Sequence, residues 1–290
     1  MLSEQLPPRT ALYVPASNAK ALTKLAAPGV DMGADMVIVE LEDAVRPDQK
    51  EDARTAAMAV LAGNFGGAIK ALRINGIGTP WHDADVSAAA NSGADVVVVP
   101  KVESAAEIKA LAKRLGRPVL AMVESPAAAF EARAIAQAAG VIGLIAGLND
   151  VAHDMRLPAD PAREGLILVS QMIVLAARAA GGWALDGVYN DVKDADGLAA
   201  ECAQGRRWGY DGKTLIHPAQ VAIANQSFAP SEAELADARA LVSLIEANPD
   251  GVGAIRFHDR MVEDMHIASA RALLARDGQD RQRANGAGDK

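Results

Sequence analysis

The chain has 290 residues, half of them hydrophobic, a formal net charge of −8 and one cysteine, Cys202. That length accommodates two small domains or one barrel-sized domain with an appendage, and the apolar content excludes global disorder. The acidic balance and the scarcity of aromatics argue against a nucleic-acid surface, the lone cysteine excludes an intrachain disulfide and a cysteine-based zinc site, and no apolar run approaches the ~18 residues of a membrane span.

Met1–Pro8 shows no basic segment followed by an apolar one, so no secretory signal is expected and the expected compartment is the cytoplasm. Eight short apolar or β-branched runs then recur: Thr10–Val14, Met36–Glu40, Ile69–Ile74, Val96–Pro100, Val119–Val123, Ile142–Ala146, Trp183–Val188 and Gly212–Ile216. Helix-like segments separate them at Ala19–Met32, Gln49–Ala62, Thr79–Asn91, Ser104–Leu115, Ala127–Gln137, Arg163–Ala180 and Asp194–Trp208. Runs such as Val96–Val99 are apolar on both faces, as strands of a covered parallel sheet are. Strictly alternating strands and helices imply parallel pairing, and eight such units predict an α/β fold, a (β/α)8 TIM barrel, over residues 1–228. The long connection from Asp150 to Gly182, with Pro158 and Pro161, has room for an extra loop over the barrel mouth.

Beyond the eighth run, His217-Pro218-Ala219-Gln220 leads into a helix ending near Phe228. Ser231 with Glu234 three residues later is a capping-box signature for a helix to about Glu246, and Asn248–Gly251 breaks it. Residues 252–276 read as a short strand and one more helix, so 229–276 form a C-terminal helical extension. The polar stretch 277–290 is expected to fray.

In such a barrel the chemistry sits at the C-terminal ends of the strands. The polar residues there are Glu40-Leu-Glu42-Asp43, Arg73-Ile-Asn75, Pro100-Lys101-Val-Glu103, Glu124-Ser-Pro126, Gly147-Leu-Asn149-Asp150 and His217-Pro218. Carboxylates converging from separate strands with one Arg and one Lys suit a hard divalent cation and an anionic substrate. Mg²⁺ takes oxygen ligands, usually one or two carboxylates with waters and substrate oxygens. Glu124 and Asp150, on adjacent strands, are the expected pair. Any one of these acids alone reads as well as a helix cap or a surface ion pair.

Other motifs read as structural. Gly212-Lys213-Thr214 has the ending of a phosphate-binding loop, but the motif's first glycine would fall at position 207, which is Arg207, and the triplet opens a strand rather than a helix. His153 and Asp154 read as loop residues, His217 as fixing a turn, and Cys202 as packing. Lys20 and Lys24 read equally as solvated charges or phosphate contacts.

The motifs in order resemble the HpcH/HpaI aldolase superfamily, specifically the citrate lyase β-subunit-like acyl-CoA lyases, a group with malyl-CoA and citramalyl-CoA lyases and malyl-CoA thioesterases. They are Arg9-Thr-Ala-Leu-Tyr-Val-Pro15, Val39-Glu-Leu-Glu-Asp-Ala-Val45 with Pro47, Lys50, Ala53 and Arg54 behind it, Leu72-Arg-Ile-Asn75, Pro100-Lys-Val-Glu-Ser104, Val123-Glu-Ser-Pro126, Gly147-Leu-Asn-Asp150, Gly209-Tyr-Asp-Gly-Lys213, Ile216-His-Pro-Ala-Gln220 and Phe228-Ala-Pro230. The resemblance implies a barrel with a C-terminal extension, assembled as trimers or hexamers. It implies Mg²⁺ on Glu124 and Asp150, substrate contacts from Arg73 and Glu124, and Glu42 and Asp43 supporting the metal's water shell. Lys24 falls near the family's basic positions for CoA phosphates. The C-terminal segment is expected to close a neighbouring subunit's site, with Glu263 or Asp264 as an acid. Glu40 stands where many members have Asp, Ser125 where Thr is common, and Met265 where a Pro is familiar. The implied reaction is retro-Claisen cleavage of a β-hydroxyacyl-CoA, such as malyl-CoA or citramalyl-CoA, to a 2-oxo acid and an acyl-CoA. A malyl-CoA-type thioesterase and the citryl lyase subunit of a citrate lyase complex are the alternatives. The expected partners are the CoA thioester and further copies of the chain, with neither nucleic acid nor membrane.

Overall fold

A computed structural model describes residues 6–27, 29, 31–247, 255–257 and 260–286. The apolar runs form strands β1 (Thr10–Pro15), β2 (Met36–Glu40), β3 (Ile69–Arg73), β4 (Val96–Val99), β5 (Val119–Val123), β6 (Val141–Ala146), β7 (Trp183–Asp186) and β8 (Gly212–Leu215). Each pairs in parallel with its neighbours, and β8 returns to β1 with Thr10 opposite Lys213, which closes the barrel. Helices α1 (Ala19–Leu25), α2 (Lys50–Leu61), α3 (His82–Ala90), α4 (Ala105–Leu115), α5 (Pro126–Ala136), α6 (Leu148–Asp154), α7 (Ile167–Ala179) and α8 (Ala195–Trp208) form the connections, and α9 (Val221–Phe228) follows β8.

The two-residue period of a strand divides its apolar side chains between two cores. Ala11, Met36, Ile38, Ala71, Val98, Leu120, Ile145 and Leu185 fill the barrel. Their alternates, among them Leu12, Val37, Val39, Leu72, Val97 and Val99, pack under the helices. The backbones of β6 and β7 approach so closely that a Cβ at Gly143 would lie 2.6 Å from the Trp183 carbonyl oxygen. Only glycine fits there. The helices start on caps the sequence supplies: the Ser104 side chain accepts from the Glu107 amide, and Ser125 accepts from the Ala128 amide with Pro126 opening α5.

Some boundaries differ from the expectations above. Helix α1 ends at Leu25 rather than Met32, because Pro28 and Gly29 follow and Gly29 takes φ 72°. Helix α3 starts at His82, since Thr79 closes a turn onto the Gly76 carbonyl. The expected helix from Arg163 divides into a 3₁₀ turn, Glu164–Leu166, and α7. Arg163 is left-handed at φ 53° and buried. Its Nη1 donates to both oxygens of Asp186 at 3.0 Å, and its guanidinium lies 4.6 Å from the Trp208 ring centre. Fully buried Lys213 donates to Asp186 at 3.1 Å and to Glu201 at 2.7 Å. This ion cluster pins the long connection after α6 to β7, β8 and α8.

The described residues divide into two units, one ending at Phe228 and one starting at Ala229. In the second unit both halves of the capping box form: the Glu234 amide donates to Ser231 Oγ at 3.2 Å, and the Ser231 amide donates to Glu234 Oε2 at 2.7 Å. They start α10 (Glu232–Glu246), which packs against α11 (Asp264–Gly286) through Ala238, Leu241 and Ala270. Between these helices lies an antiparallel pair, β9 (Ile255–Phe257) and β10 (Arg260–Val262), where one strand was expected. Helix α11 runs to Gly286. The break at Asn248–Gly251 and residues 287–290 lie outside the described residues. No described helix is long and apolar enough to cross a membrane.

Candidate active site

A cavity of about 250 Å³ opens at the C-terminal ends of the barrel strands, lined by Tyr13, Glu40, Asp43, Arg73, Met122, Glu124 and Asp150 among others. Strand periodicity delivers most of them, because residues at the ends of β2, β3 and β5 that continue the interior-facing rows emerge at the mouth.

Arg73 is the hub. Its Nε donates to Glu40 Oε2, its Nη1 lies 3.3 Å from Glu42 Oε2, and its guanidinium stacks 4.8 Å from the Tyr13 ring centre. The Glu40 and Glu42 charges keep Arg73 firmly protonated against the cost of burial, and burial raises the Glu40 carboxyl above its ordinary value despite Arg73. Glu40 also accepts the Glu42 amide at 2.6 Å, which bends the chain just past β2.

The loop carrying Glu42 and Asp43 is held from behind. Lys50 Nζ donates to the Leu41 carbonyl at 2.8 Å, the Glu42 carbonyl at 2.7 Å and Asn75 Oδ1 at 2.7 Å. Asn75 donates in turn to Asp85 at 2.6 Å, and Arg54 donates to Asp85 from the other side at 2.6 Å. This explains why Lys50, Arg54 and Asn75 accompany the Leu-Glu-Asp motif: Lys50 and Asn75 satisfy buried carbonyls that no strand reaches, and Arg54 pairs with the Asp85 carboxylate that holds Asn75.

Lys101, just past β4, adopts φ 53°, a left-handed backbone that costs on the order of 1–3 kcal/mol in a non-glycine residue. In that conformation its amide donates to Glu124 Oε1, while its ammonium reaches 2.9 Å from Glu42 Oε1 and 3.6 Å from Asp43 Oδ1. The close approach of Glu42 pushes the Lys101 ammonium up. Glu124 is buried beside Glu42 and Asp150. Burial first, and those charges next, raise its carboxyl to about 7 against the pull of the Lys101 amide and Arg73. Gly147 makes room for it: an added Cβ would sit 2.2 Å from the Glu124 Cβ. Asp150 stands in the first turn of α6 on the same cavity.

Five carboxylates therefore share this mouth with two cations, and both Glu42 oxygens are buried without a well-directed hydrogen-bond donor. An excess of oxygen donors with negative charge fits a hard divalent cation, and Glu124 and Asp150 both line the cavity that would receive it. Among the described residues no three His, Cys, Asp or Glu side chains form a ready-made cage. Water and substrate oxygens would complete the coordination, as Mg²⁺ sites commonly do. Chemically, the site can grip an anionic substrate through Arg73 and stabilise charge developing on its oxygens.

A model for the HpcH/HpaI aldolase/citrate lyase family matches residues 9–218, and a model for a C–C bond lyase of the TIM-barrel fold matches residues 165–278. The chain belongs to the HpcH/HpaI aldolase/citrate lyase family. It is 42% identical to a (3S)-malyl-CoA thioesterase of Cereibacter sphaeroides, over 95% of this chain and 96% of that one. It is 34% identical to the citrate lyase subunit beta of Leuconostoc mesenteroides, over 92% of each. Among solved structures, CitE from Mycobacterium tuberculosis in complex with magnesium, acetoacetate and coenzyme A aligns with a TM-score of 0.76 and 31% identity, over 96% of this chain and all of that one. The M. tuberculosis citrate lyase beta subunit with oxaloacetate and magnesium aligns at 0.68 with 31% identity, over 79% and 100% of the two chains. This is a family of citrate lyase beta-like carbon–carbon lyases, and several of its solved members carry magnesium.

Within this family member the predicted residues divide. Arg73, Asp43, Glu124 and Asp150 line one cavity, and Glu42 is buried against Arg73 and Lys101. Lys24 is exposed in the last turn of α1 and does not line that cavity. Glu263 follows β10 and Asp264 opens α11, in the second unit. His153 is exposed beside Asp154, His217 accepts the Ala219 amide in the turn after β8, and burial pushes the Cys202 thiol up to about 11. Sequence reasoning left Tyr13, Glu40 and Lys101 without roles. Glu40 and Lys101 were visible as strand-end charges, whereas Tyr13 read as one more aromatic in a strand.

Proposed function

We propose that this chain cleaves a β-hydroxyacyl-CoA of the malyl-CoA class at its carbon–carbon bond, with Mg²⁺ held by Glu124 and Asp150. The observation that supports this best is Arg73 facing Glu124 and Asp150 across one small cavity. Polarisation of the substrate's hydroxyl and carboxylate oxygens is what Mg²⁺ supplies when bound. Loss of the hydroxyl proton to a base lets the carbon–carbon bond break, releasing a 2-oxo acid and leaving its electron pair on the thioester enolate. Arg73 stabilises oxyanion charge from a fixed position, held by Glu40 and Tyr13 so that no reorganisation is needed. Glu42, Asp43 and Lys101 hold and balance the polar mouth. A carboxylic acid from Glu263 or Asp264 of a neighbouring copy protonates the enolate carbon, giving the acyl-CoA. A homo-oligomer is part of this reading. Phe130 on α5 and Leu168 and Leu175 on α7 are largely exposed apolar side chains on two packed helices, a face that another copy would cover.

Thioester hydrolysis of the same substrate is the second reading, favoured by the relatives named malyl-CoA thioesterase at 39–42% identity. The deciding experiment offers malyl-CoA, citramalyl-CoA and citryl-CoA to the purified protein with Mg²⁺ and follows 2-oxo acid and free thiol separately. Oxo acid without thiol is the expected result. Thiol without oxo acid replaces the lyase with a thioesterase, and neither product from any of the three refutes both.

A further inference from the structure

Tyr13, Arg73 and Met122 come from β1, β3 and β5. In a (β/α)8 barrel, residues from alternate strands share one interior layer. At the top of this layer two donors converge on one sulfur. Tyr13 Oη lies 3.9 Å from Met122 Sδ, and Arg73 Nη1 lies 3.6 Å from the same atom. A thioether is a weak acceptor, and the phenol has no other hydrogen-bond partner among the described residues. Burial holds that phenol far above its ordinary value, so it remains a donor at ordinary pH. A neutral O–H and a guanidinium N–H directed at one point suit an oxygen bearing negative charge far better than they suit sulfur. All three side chains border the cavity that Glu124 and Asp150 share. Methionine, unbranched with three rotatable bonds, is the side chain in this layer best able to move aside.

We infer that Tyr13 Oη and Arg73 Nη1 form a paired donor site for one negatively charged substrate oxygen, and that the Met122 thioether occupies its place until substrate arrives. This rests on the reading above and extends it to a side chain that neither the motifs nor the metal chemistry assigned. The oxygen belongs either to the substrate's carboxylate or to the thioester oxygen that becomes an enolate, and the two leave different kinetic signatures.

The test is Tyr13→Phe, read three ways: oxaloacetate binding by calorimetry with saturating Mg²⁺, kcat and KM for malyl-CoA, and thermal stability. A hydrogen bond to a charged group is worth enough that kcat/KM should fall about tenfold or more, with Tm held because the phenol loses only a sulfur contact. Weaker oxaloacetate binding with raised KM assigns the site to the carboxylate. An equal fall in kcat and kcat/KM with oxaloacetate binding intact assigns it to the enolate oxygen. Met122→Leu is the second variant. It leaves two donors facing a hydrocarbon, so the ligand-free protein should lose stability while oxaloacetate binds at least as tightly as before. Wild-type protein that turns over malyl-CoA, with Tyr13→Phe within twofold of it in every parameter, overturns the donor site and leaves the functional reading standing. Wild-type protein that binds oxaloacetate without cleaving malyl-CoA overturns the substrate reading, and the donor site then stands or falls on the binding ratio. No binding and no turnover by the wild type overturn both.

Discussion

Replacing Glu124 by glutamine should make the metal-free protein more stable and the enzyme inert. The Glu124 carboxyl is raised from an ordinary 4.5 to about 7 by burial and by the charges of Glu42 and Asp150. At about 1.4 kcal/mol per tenfold change in proton affinity, keeping it ionised in the fold costs about 3 kcal/mol. Folded protein without metal therefore binds more protons than the unfolded chain between about pH 4.5 and 7. Its stability falls as pH rises through that window and stays reduced above it. Glutamine keeps an oxygen for the Lys101 amide and removes the charge, so Tm at pH 8 should rise by on the order of 5 °C, with almost no change near pH 4.5. Wild-type Tm at pH 8 should climb with added Mg²⁺, and that climb should be missing in the variant, together with turnover. Below pH 7 protons compete for the same carboxylate, so the Mg²⁺ concentration needed for half the climb should increase. Thermal denaturation at pH 4.5 and 8 across a Mg²⁺ series measures all of this. A glutamine variant that keeps the full Mg²⁺-dependent climb, or that is less stable than wild type at pH 8 without metal, refutes the charge argument.

Arg73→Lys should lower kcat/KM by about a hundredfold, because a compact ammonium lacks the planar fork that reaches Glu40 with one nitrogen while another faces the substrate; steady-state kinetics with malyl-CoA measures it. Gly147→Ala puts a Cβ 2.2 Å from that of Glu124 and should abolish Mg²⁺-dependent stabilisation while circular dichroism shows the barrel intact. Asp186→Asn leaves the buried Arg163 and Lys213 to share Glu201 alone and should cost about 3–5 kcal/mol in denaturant unfolding; a loss below 1 kcal/mol would show that Asp186 is dispensable to the cluster. Of Glu263→Ala and Asp264→Ala, the one that removes the proton donor should lower kcat far more than it changes KM, and unchanged kcat in both dismisses the C-terminal acid.

The barrel was legible because its information is local. A run such as Val96–Val99 declares a doubly covered strand, and Ser104 or Ser125 declares the helix after it. The mouth followed from the same rhythm: once strands end at Glu40, Arg73 and Val123, the polar residues there must face one opening. What escaped depends on pairings between distant residues. The role of Lys101 comes from a left-handed backbone that no neighbouring residue announces. Tyr13 belongs to an apolar layer by pattern, and its hydroxyl matters only because Met122 and Arg73 arrive from other strands. The Arg163, Asp186, Glu201 and Lys213 cluster joins four elements with no common spacing. Lys24 was placed by resemblance alone, and it is exposed in the last turn of α1.

Ring closure through β1 and β8 sets a schedule for synthesis. The Thr10–Leu12 edge of β1 pairs with Lys213–Leu215, about two hundred residues later in the chain. At about 5–20 residues per second that partner leaves the ribosome roughly 10–40 s after β1 does. Throughout that interval an apolar strand carries an unpaired edge, the kind of surface that templates mispairing. The nascent chain should thus be most open to chaperone capture before β8 emerges, and chains truncated ahead of Gly212 should aggregate where the full chain does not.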